Sequence, residues 1–165
     1  MKKLYLIRHA KSDWNDRSVK DFDRLLNERG TNDARVMGKR LVKKGIVPDL
    51  VISSPASRAF TTAKSIVKEI GLREKNIEKE PEIYEANIED LVRVIRNIDD
   101  KNKRVFLFGH NPALTGLVGY LTNHFIDNIP TCGVVQINFD LPSWKQVAQN
   151  NGKFIFFDFP KNPAD

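Results

Sequence analysis

The sequence predicts a single α/β domain with a mostly parallel central sheet. Short apolar segments that favour strands alternate with longer segments whose apolar residues recur at helical spacing. The last third differs, because residues 134–139 and 154–159 alternate apolar and polar residues and therefore predict an antiparallel strand pair. A length of 165 residues suits one hydrophobic core. We expect one domain over residues 1–165, folded as a three-layer α/β/α sandwich.

Each predicted element has its own local signal. The first strand is expected over residues 3–7, and the polar stretch of residues 11–27 is long enough to be a functional loop. A helix over residues 28–44 is expected to end at Gly45, because glycine readily adopts the positive φ that terminates helices. The next helix is expected to run to residue 70, with Ser54 as its N-cap and Pro55 in its first turn. The other expected elements are strands at 49–53, 76–80 and 104–108 and helices around 88–98 and 113–121.

The net charge of +6 is unevenly distributed. Residues 1–45 carry 13 Lys and Arg against 6 Asp and Glu, and a basic surface can attract nucleic acid, membranes or phosphorylated molecules. No basic stripe is interleaved with aromatic residues, so we expect no nucleic-acid binding. Five basic residues are expected to lie on the solvated face of the first helix, near its carboxyl end: Arg35, Lys39, Arg40, Lys43 and Lys44.

Cysteine content and hydropathy indicate the compartment. Cys132 is the single cysteine, which excludes an intramolecular disulfide and suits a reducing cytoplasm. No apolar segment approaches the ~20 residues of a membrane span, and the basic start is too close to Arg8 for a secretory signal. We expect a cytoplasmic protein without membrane association and Cys132 as a small core residue. The sequence leaves the oligomeric state open.

Two histidines directly follow predicted strands. His9 comes after Leu4–Ile7 and Arg8, and His110 follows the strand that ends near Gly109. Ligands of parallel α/β sheets bind at the carboxyl ends of the strands, so both imidazoles are candidate site residues. Two alternatives stay open, since a strand-end histidine is also common in loops or cores and His110 could cap a helix.

Arg58 lies in the first turn of a predicted helix, where the helix dipole favours an anion over a cation. Its position there requires an anionic partner, which could be a ligand or a neighbouring acidic side chain. Together with Arg8, it supplies forked donors of the kind that bind phosphate. One phosphate pocket formed by Arg8, His9, Arg58 and His110 would explain all four positions.

Other chemistries lack their motifs. Arginines would repel a metal cation beside the two histidines, and no cysteine or carboxylate pair completes a ligand set. A G-x-S-x-G nucleophile elbow, a Walker A loop and a G-x-G-x-x-G segment are all absent from the sequence. We therefore expect neither a metal ion nor another cofactor.

Three short segments resemble the motifs of one enzyme family. LIRHAKSDWN (residues 6–15) resembles the R-H-G signature of the histidine phosphatase superfamily, the phosphoglycerate-mutase-like group. SPASRAFTTA (residues 54–63) is similar to its S-x-x-x-R-A-x-x-T-A helix start, and Gly109-His110-Asn111 is similar to its second histidine motif. The small size and the missing insertions most closely resemble SixA-type phosphohistidine phosphatases. The resemblance implies a phosphoglycerate-mutase-like fold and phosphatase activity.

The resemblance also implies a role for each matching residue. His9 is expected to attack phosphorus and form a phosphohistidine, which divides one difficult step into two. A set of side chains and one backbone N–H group is expected to hold the phosphoryl oxygens and stabilise the transition state. These ligands are the side chains of Arg8, Asn15, Arg58 and His110 and the backbone N–H of Asn111.

The sequence departs from the family pattern in three places. Ala10 replaces the glycine after the histidine, and Lys11 stands where mutases often carry glutamate, which argues against mutase activity. Residues 81–85 resemble the P-x-L-x-E segment whose last glutamate serves as general acid, but the continuation of that segment is missing. Two interpretations of Glu85 stay open: it protonates an alkoxide leaving group, or it begins the following helix.

The role of Glu85 as a general acid affects which substrate is expected. An alcohol phosphate needs a proton at its leaving oxygen, whereas the imidazole of phosphohistidine, with a pKa of about 6.5, departs with little help. A phosphohistidine-bearing protein is therefore the expected substrate, and the basic residues 1–45 could receive its acidic surface. The alternatives are a small phosphate ester, such as a sugar or nucleotide phosphate, and a weakly active phosphate-binding module.

Overall fold

The structure, a computed structural model, describes residues 1–163. Within them the chain forms six strands and four α-helices, joined by loops that contain short 3-10 turns. The strands are β1 (Lys2–Arg8), β2 (Leu50–Ser53), β3 (Ile77–Lys79), β4 (Arg104–Gly109), β5 (Val134–Phe139) and β6 (Lys153–Asp158), and the helices are α1 (Glu28–Lys43), α2 (Ser57–Ile70), α3 (Ile88–Arg96) and α4 (Ala113–Thr122).

One mixed sheet contains all six strands, in the order β3-β2-β4-β1-β5-β6. The four strands from β3 to β1 are parallel. Strand β5 pairs antiparallel with β1, and β6 pairs antiparallel with β5. The predicted mostly parallel sheet with an antiparallel carboxyl-terminal pair is confirmed.

Helices cover both faces of the sheet, because the strand residues alternate between two apolar cores. Leu4 and Leu6 of β1 are buried in one core with residues of α3 and α4. Tyr5 and Ile7 are buried in the other, with residues of α1 and α2. The predicted three-layer α/β/α architecture is therefore confirmed. The single-domain prediction runs to residue 165, and residues 164 and 165 lie outside the described part.

The start of α2 differs from the prediction. The helix begins at Ser57, with Ala56 as its N-cap residue, and not at Pro55. Ser54 instead lies just before the helix, where its Oγ accepts a hydrogen bond from the backbone N–H of Ala56 at 3.2 Å. This offset leaves the Ser54 hydroxyl free to face the end of β4, which matters for the site.

Arg40 also departs from its expected solvated position. Its guanidinium donates to Asp158 Oδ1 at 3.1 Å and to the backbone oxygens of Phe159 and Pro160 at 3.0 Å. The cause is the packing of α1 beside the end of β6, which supplies a carboxylate and two carbonyl groups. Arg40 therefore fastens the carboxyl-terminal segment to α1.

The positions of Cys132 and of the helices bear on two further expectations. Cys132 is fully buried in the core between the sheet, α1 and α2, and burial raises the pKa of its thiol well above the ordinary value. Across residues 1–163, no helix combines the length and apolar character needed to cross a membrane.

Candidate active site

The site is built where β1 and β4 end side by side. Arg8 and Gly109, the last residues of these parallel strands, are paired in register. The backbone N–H of His9 donates to the carbonyl of Gly109 at 3.2 Å. Both chains leave the sheet at this point, so the rings of His9 and His110 lie with their centroids 5.2 Å apart.

His9 is held as a neutral imidazole with one defined free nitrogen. Its Nδ1 lies 2.8 Å from the carbonyl oxygen of Ala10, and because a carbonyl only accepts, Nδ1 carries the proton. The lone pair is therefore on Nε2, which is available as a nucleophile. The pKa of His9 is lowered to about 4, chiefly by burial and also by the charges of Arg58 and Arg8, which together outweigh the hydrogen bond to Ala10.

The backbone around His9 is fixed on both sides. The carbonyl of His9 accepts a hydrogen bond from the N–H of Cys132 at 3.0 Å. The N–H of Ala10 donates to Thr62 Oγ1 at 2.9 Å, and the Thr62 hydroxyl donates to the carbonyl of Arg58 at 2.6 Å. These hydrogen bonds connect the backbone at His9 to the helix turn that carries Arg58.

His110 is held by the serine that precedes α2. Its Nε2 lies 2.8 Å from Ser54 Oγ. Because Ser54 Oγ already accepts from Ala56, its own proton is available for Nε2, and this arrangement favours a proton on Nδ1 of His110. Nδ1 is buried and has no hydrogen-bond partner among residues 1–163. Burial lowers the pKa of His110 to about 3, with His9, Arg58 and Arg8 adding to the shift.

Arg8 brings a second unpaired donor to the same edge. Its Nη1 donates to the carbonyl of Ile129 at 2.9 Å, while its buried Nε has no partner within the described residues. Burial, followed by the charge of Arg58, lowers the pKa of Arg8. A buried guanidinium and a buried imidazole N–H without protein partners favour an anion beside His9.

Arg58 lies at the amino-terminal turn of α2, as predicted, and it has the acidic partner that its position requires. Its Nη1 donates to the backbone oxygen of Asp21 at 2.6 Å, and its Nη2 donates to Asp21 Oδ2 at 3.0 Å. The side chain is largely buried. The alternative of a salt bridge is thus realised in the structure, and the charge of Arg58 still acts on both histidines.

Asp21 and Tyr84 belong to this edge and were not predicted from the sequence. The Tyr84 hydroxyl donates to Asp21 Oδ2 at 2.8 Å. The Tyr84 ring lies edge-on to the rings of Phe22 and His110, with centroid separations of 5.1 Å and 5.8 Å. Asp21 lies in the polar loop that was identified as a candidate functional segment, but no local pattern singles out one acid among the several in that loop.

The structure does not connect Glu85 with the four central residues. Glu85 is exposed, has a φ of 56°, and makes no hydrogen bond or ion pair with another residue in the range 1–163. The interpretation that it begins the next helix is wrong, because α3 starts at Ile88 and its cap is the reciprocal pair Asn87 and Asp90. The neighbouring Tyr84, and not Glu85, contacts His110.

Asn15 and Asn111 take different positions. Asn15 is exposed, and its backbone N–H donates to Asp13 Oδ1 at 2.9 Å, with no contact to the two histidines. The Asn111 side chain donates to Asn128 Oδ1 and to the carbonyl of Ile129, at 2.9 and 3.0 Å. Since that carbonyl also accepts from Arg8, the Asn111 side chain is structural. Only its backbone N–H remains available for the predicted role.

The remaining candidates for metal or histidine chemistry lie elsewhere. No three His, Cys, Asp or Glu side chains within residues 1–163 come close enough together to hold a metal ion. The third histidine, His124, is exposed and stacks on Phe154 with ring centroids 3.9 Å apart. The central arrangement can therefore offer one neutral nucleophilic nitrogen, two guanidinium groups and one imidazole N–H to an anionic group.

The comparisons with known proteins agree with this geometry. The family model of the histidine phosphatase superfamily (branch 1) matches residues 4–94. A chloroplastic Arabidopsis thaliana protein of uncharacterised function is 29% identical over 159 residues, which cover 92% of this chain and 72% of that protein. A 2,3-bisphosphoglycerate-dependent phosphoglycerate mutase of Beijerinckia indica is 33% identical over 105 residues, which cover 61% of this chain and 49% of the mutase. The alignment with the mutase thus spans about half its length.

Solved structures with the same fold include phosphatases. A protein of Agrobacterium tumefaciens assigned as the phosphohistidine phosphatase SixA has a TM-score of 0.79 and 26% identity, covering 94% of this chain and 96% of that one. The protein histidine phosphatase SixA in complex with tungstate has a TM-score of 0.83 and 20% identity, covering 97% and 98%. The tungstate complex shows the shared fold. The family match and the Agrobacterium tumefaciens structure support a phosphatase. The chain belongs to branch 1 of the histidine phosphatase superfamily.

Proposed function

We propose that the chain is a metal-independent phosphohydrolase that forms a phosphohistidine intermediate at His9. The observation that carries the proposal is the pairing of a neutral Nε2 on His9 with unpaired buried donors on Arg8 and His110. A phosphoryl group would satisfy those donors and place its phosphorus next to the nucleophile. Two arginines supply the positive charge for which other phosphoryl-transfer enzymes use a metal ion.

The reaction follows from the protonation states. The lone pair of His9 Nε2 forms a bond to phosphorus as the bond to the leaving group breaks. Arg8, Arg58 and the Nδ1–H of His110 stabilise the charge on the phosphoryl oxygens in the transition state. A water molecule then attacks the phosphohistidine, its hydroxyl passes to phosphorus and a proton returns to the solution. The products are inorganic phosphate and neutral His9.

We propose phosphohistidine in a protein as the substrate. The exposed Glu85 has no contact that aims it at the leaving group. A substrate ring protonated on its other nitrogen leaves as neutral imidazole, whose conjugate acid has a pKa of about 6.5, so this leaving group needs no strong acid from the enzyme. The similarity to the Agrobacterium tumefaciens SixA structure supports the same substrate class. The basic surplus of residues 1–45 would favour a partner with an acidic surface.

The test follows phosphate release from a phosphohistidine-bearing protein in excess EDTA. The unaltered chain should turn over, and quenching in alkali should trap a base-stable, acid-labile phosphoryl group on His9. His9→Ala should lose about a thousandfold or more in kcat, as expected for a covalent nucleophile. His124→Ala is the matched control, since His124 is outside the site, and its rate should be unchanged. Loss of activity in EDTA, or turnover by His9→Ala, would contradict the proposal.

A small phosphate ester is the second candidate. The phosphoglycerate mutases among the sequence relatives support it, because they act on esters. An ester phosphatase should prefer sugar phosphates or 3-phosphoglycerate over phosphohistidine. It should also depend on an acid, so Glu85→Gln would reduce ester hydrolysis alone. If no substrate is turned over while phosphate still binds, the chain is instead a phosphate-binding module.

A further inference from the structure

Asp21 has a free carboxylate oxygen at the edge of the site. Its Oδ2 is occupied by Arg58 and Tyr84, at 3.0 and 2.8 Å. Its Oδ1 accepts no hydrogen bond from any residue between 1 and 163, and half of the side chain is exposed. The carboxylate is therefore fixed through one oxygen and can accept a ligand's proton through the other.

The carboxylate is charged under ordinary conditions. Burial by itself would raise the pKa of Asp21, but the hydrogen bonds from Tyr84 and Arg58 and the charge of Arg58 lower it overall. Burial, followed by the bond to Asp21 and its charge, raises the pKa of Tyr84 to about 12. Tyr84 thus remains a donor to Asp21.

Asp21 is also close enough to influence the reacting groups. Its charge acts on both His9 and His110, opposing the effect of burial on the pKa of each. Tyr84 lies between Asp21 and His110, with its ring 5.8 Å from that of His110. Phe22 packs edge-on against Tyr84, and the bonds of Asp21 Oδ2 to Tyr84 and Arg58 hold the carboxylate beside the two histidines.

We propose that Asp21 selects the substrate of the active site, by accepting the free ring N–H of a phosphorylated imidazole and by repelling phosphate esters that carry a carboxylate. This assignment rests on the proposed function. The assignment extends that function to substrate choice. All candidate substrates share the phosphoryl group, and this group is the only part recognised by Arg8, His9, Arg58 and His110. Asp21 faces the part in which they differ.

Transfer of the phosphoryl group from the substrate imidazole to His9 needs no proton from the enzyme. One ring nitrogen of the bound substrate is bonded to phosphorus, and the other carries a proton that donates to Asp21 Oδ1. As His9 Nε2 attacks, the electron pair of the breaking P–N bond remains on the substrate nitrogen. The leaving group departs as neutral imidazole with its N–H still bonded to Asp21. The carboxylate therefore favours the protonated ring, which is the better leaving group.

The experiment compares Asp21→Asn with Asp23→Asn on three defined probes. Asp23 is exposed and lies two residues further along the same loop, so its substitution removes an equal charge. The first probe, N-phosphoimidazole, offers a ring N–H. The second, 3-phosphoglycerate, offers a carboxylate, and the third, p-nitrophenyl phosphate, offers neither group. The amide keeps an oxygen for Tyr84 and Arg58, so Asp21→Asn should fold normally.

Asp21→Asn should lower kcat/KM for N-phosphoimidazole about tenfold or more, since a charge-assisted hydrogen bond is lost. Measured against p-nitrophenyl phosphate, which carries neither group, it should raise kcat/KM for 3-phosphoglycerate, because only 3-phosphoglycerate has a carboxylate to be repelled. The alkaline limb of the N-phosphoimidazole pH profile should also move to lower pH, because the substrate ring loses its proton more easily. Asp23→Asn should change none of these values.

Equal losses on all three probes would mean that Asp21 only positions Arg58, and this would overturn the assignment. An unchanged rate on N-phosphoimidazole, or equal effects of the two asparagine variants, would overturn it as well. These outcomes leave the proposed function intact. That function fails separately, if the unaltered chain does not turn over N-phosphoimidazole or if no phosphoryl group can be trapped on His9.

Discussion

Ser54 Oγ lies 2.8 Å from Nε2 of His110, and this contact favours the His110 tautomer that carries its proton on Nδ1. The serine is available for this role because α2 begins only at Ser57. The hydroxyl accepts from Ala56 and is placed to donate to Nε2 of His110, so the His110 proton is favoured on Nδ1, which has no partner among residues 1–163. A residue that looks like a simple helix cap in the sequence therefore orients the second histidine.

Ser54→Ala should lower kcat by about tenfold, because His110 loses the partner that fixes its tautomer and orientation. Stability should fall by about 1 kcal/mol, since the backbone N–H of Ala56 also loses its acceptor. Steady-state kinetics and urea denaturation measure the two effects. Ser57→Ala, in the first turn of α2, is the control and should change neither. An unaltered kcat in Ser54→Ala would remove Ser54 from the site.

Arg58→Lys keeps the positive charge of this position but loses the planar fork. We expect a loss of about 2–4 kcal/mol of transition-state stabilisation, about 30- to 1,000-fold in kcat/KM. Steady-state kinetics on a phosphohistidine substrate check the value. Arg35→Lys, on the exposed face of α1, is the matched control. If Arg58→Lys retains full activity, forked hydrogen bonding by Arg58 is not required.

His9 should remain a neutral nucleophile far below the ordinary histidine range, because burial lowers its pKa to about 4. An NMR titration of the imidazole nitrogens, assigned with a His9→Asn variant, should give a midpoint of about 4. The proton of the neutral form should be on Nδ1, in agreement with the bond to Ala10. A midpoint near 6.5 would show that the ring is solvated and not buried.

The two buried histidines should also make folding sensitive to acid. Both pKa values are lower in the folded chain, about 4 and about 3, than the ordinary value of 6.5. The unfolded chain therefore binds more protons below pH 6.5, and stability falls as the pH drops from about 6.5 towards 4, by up to about 1.4 kcal/mol per histidine and pH unit. Urea denaturation at pH 7, 6, 5 and 4 measures the slope. A His9→Asn variant should show a shallower decline, and an equal decline would exclude His9 as its cause.

Gly30 lies where α1 meets the start of the loop that follows β1. A Cβ at this position would overlap the backbone oxygen of Lys11. Gly30→Ala should therefore destabilise the chain by about 1–3 kcal/mol, although alanine is the better helix former by about 1 kcal/mol. Thermal or urea unfolding gives the difference, and Lys39→Ala on the exposed face of α1 should stay within about 0.5 kcal/mol. A stabilised Gly30→Ala variant would contradict this packing.

Much of the fold follows from local pattern. The strand and helix periodicities place β1 to β6 and α1 to α4 within a few residues, and the alternation in residues 134–139 identifies the antiparallel end of the sheet. The motif around Arg8 and His9 and the strand-end position of His110 are equally readable, because strand ends define where ligands bind. The errors fall where tertiary contacts compete with local preference, as at the start of α2 and at Arg40.

By itself, the sequence determined the α/β class, the family resemblance and the edge of the sheet at which Arg8, His9, Arg58 and His110 are expected to meet. Tertiary structure alone decided which acid meets Arg58, which nitrogen of His110 has no partner within residues 1–163, and that Glu85 makes no contact with the four central residues. Asp21 and Tyr84 are 63 residues apart in the chain, so no local pattern relates them. Burial and hydrogen-bond partners arise only when distant segments pack together, and they set the protonation states on which the chemistry depends.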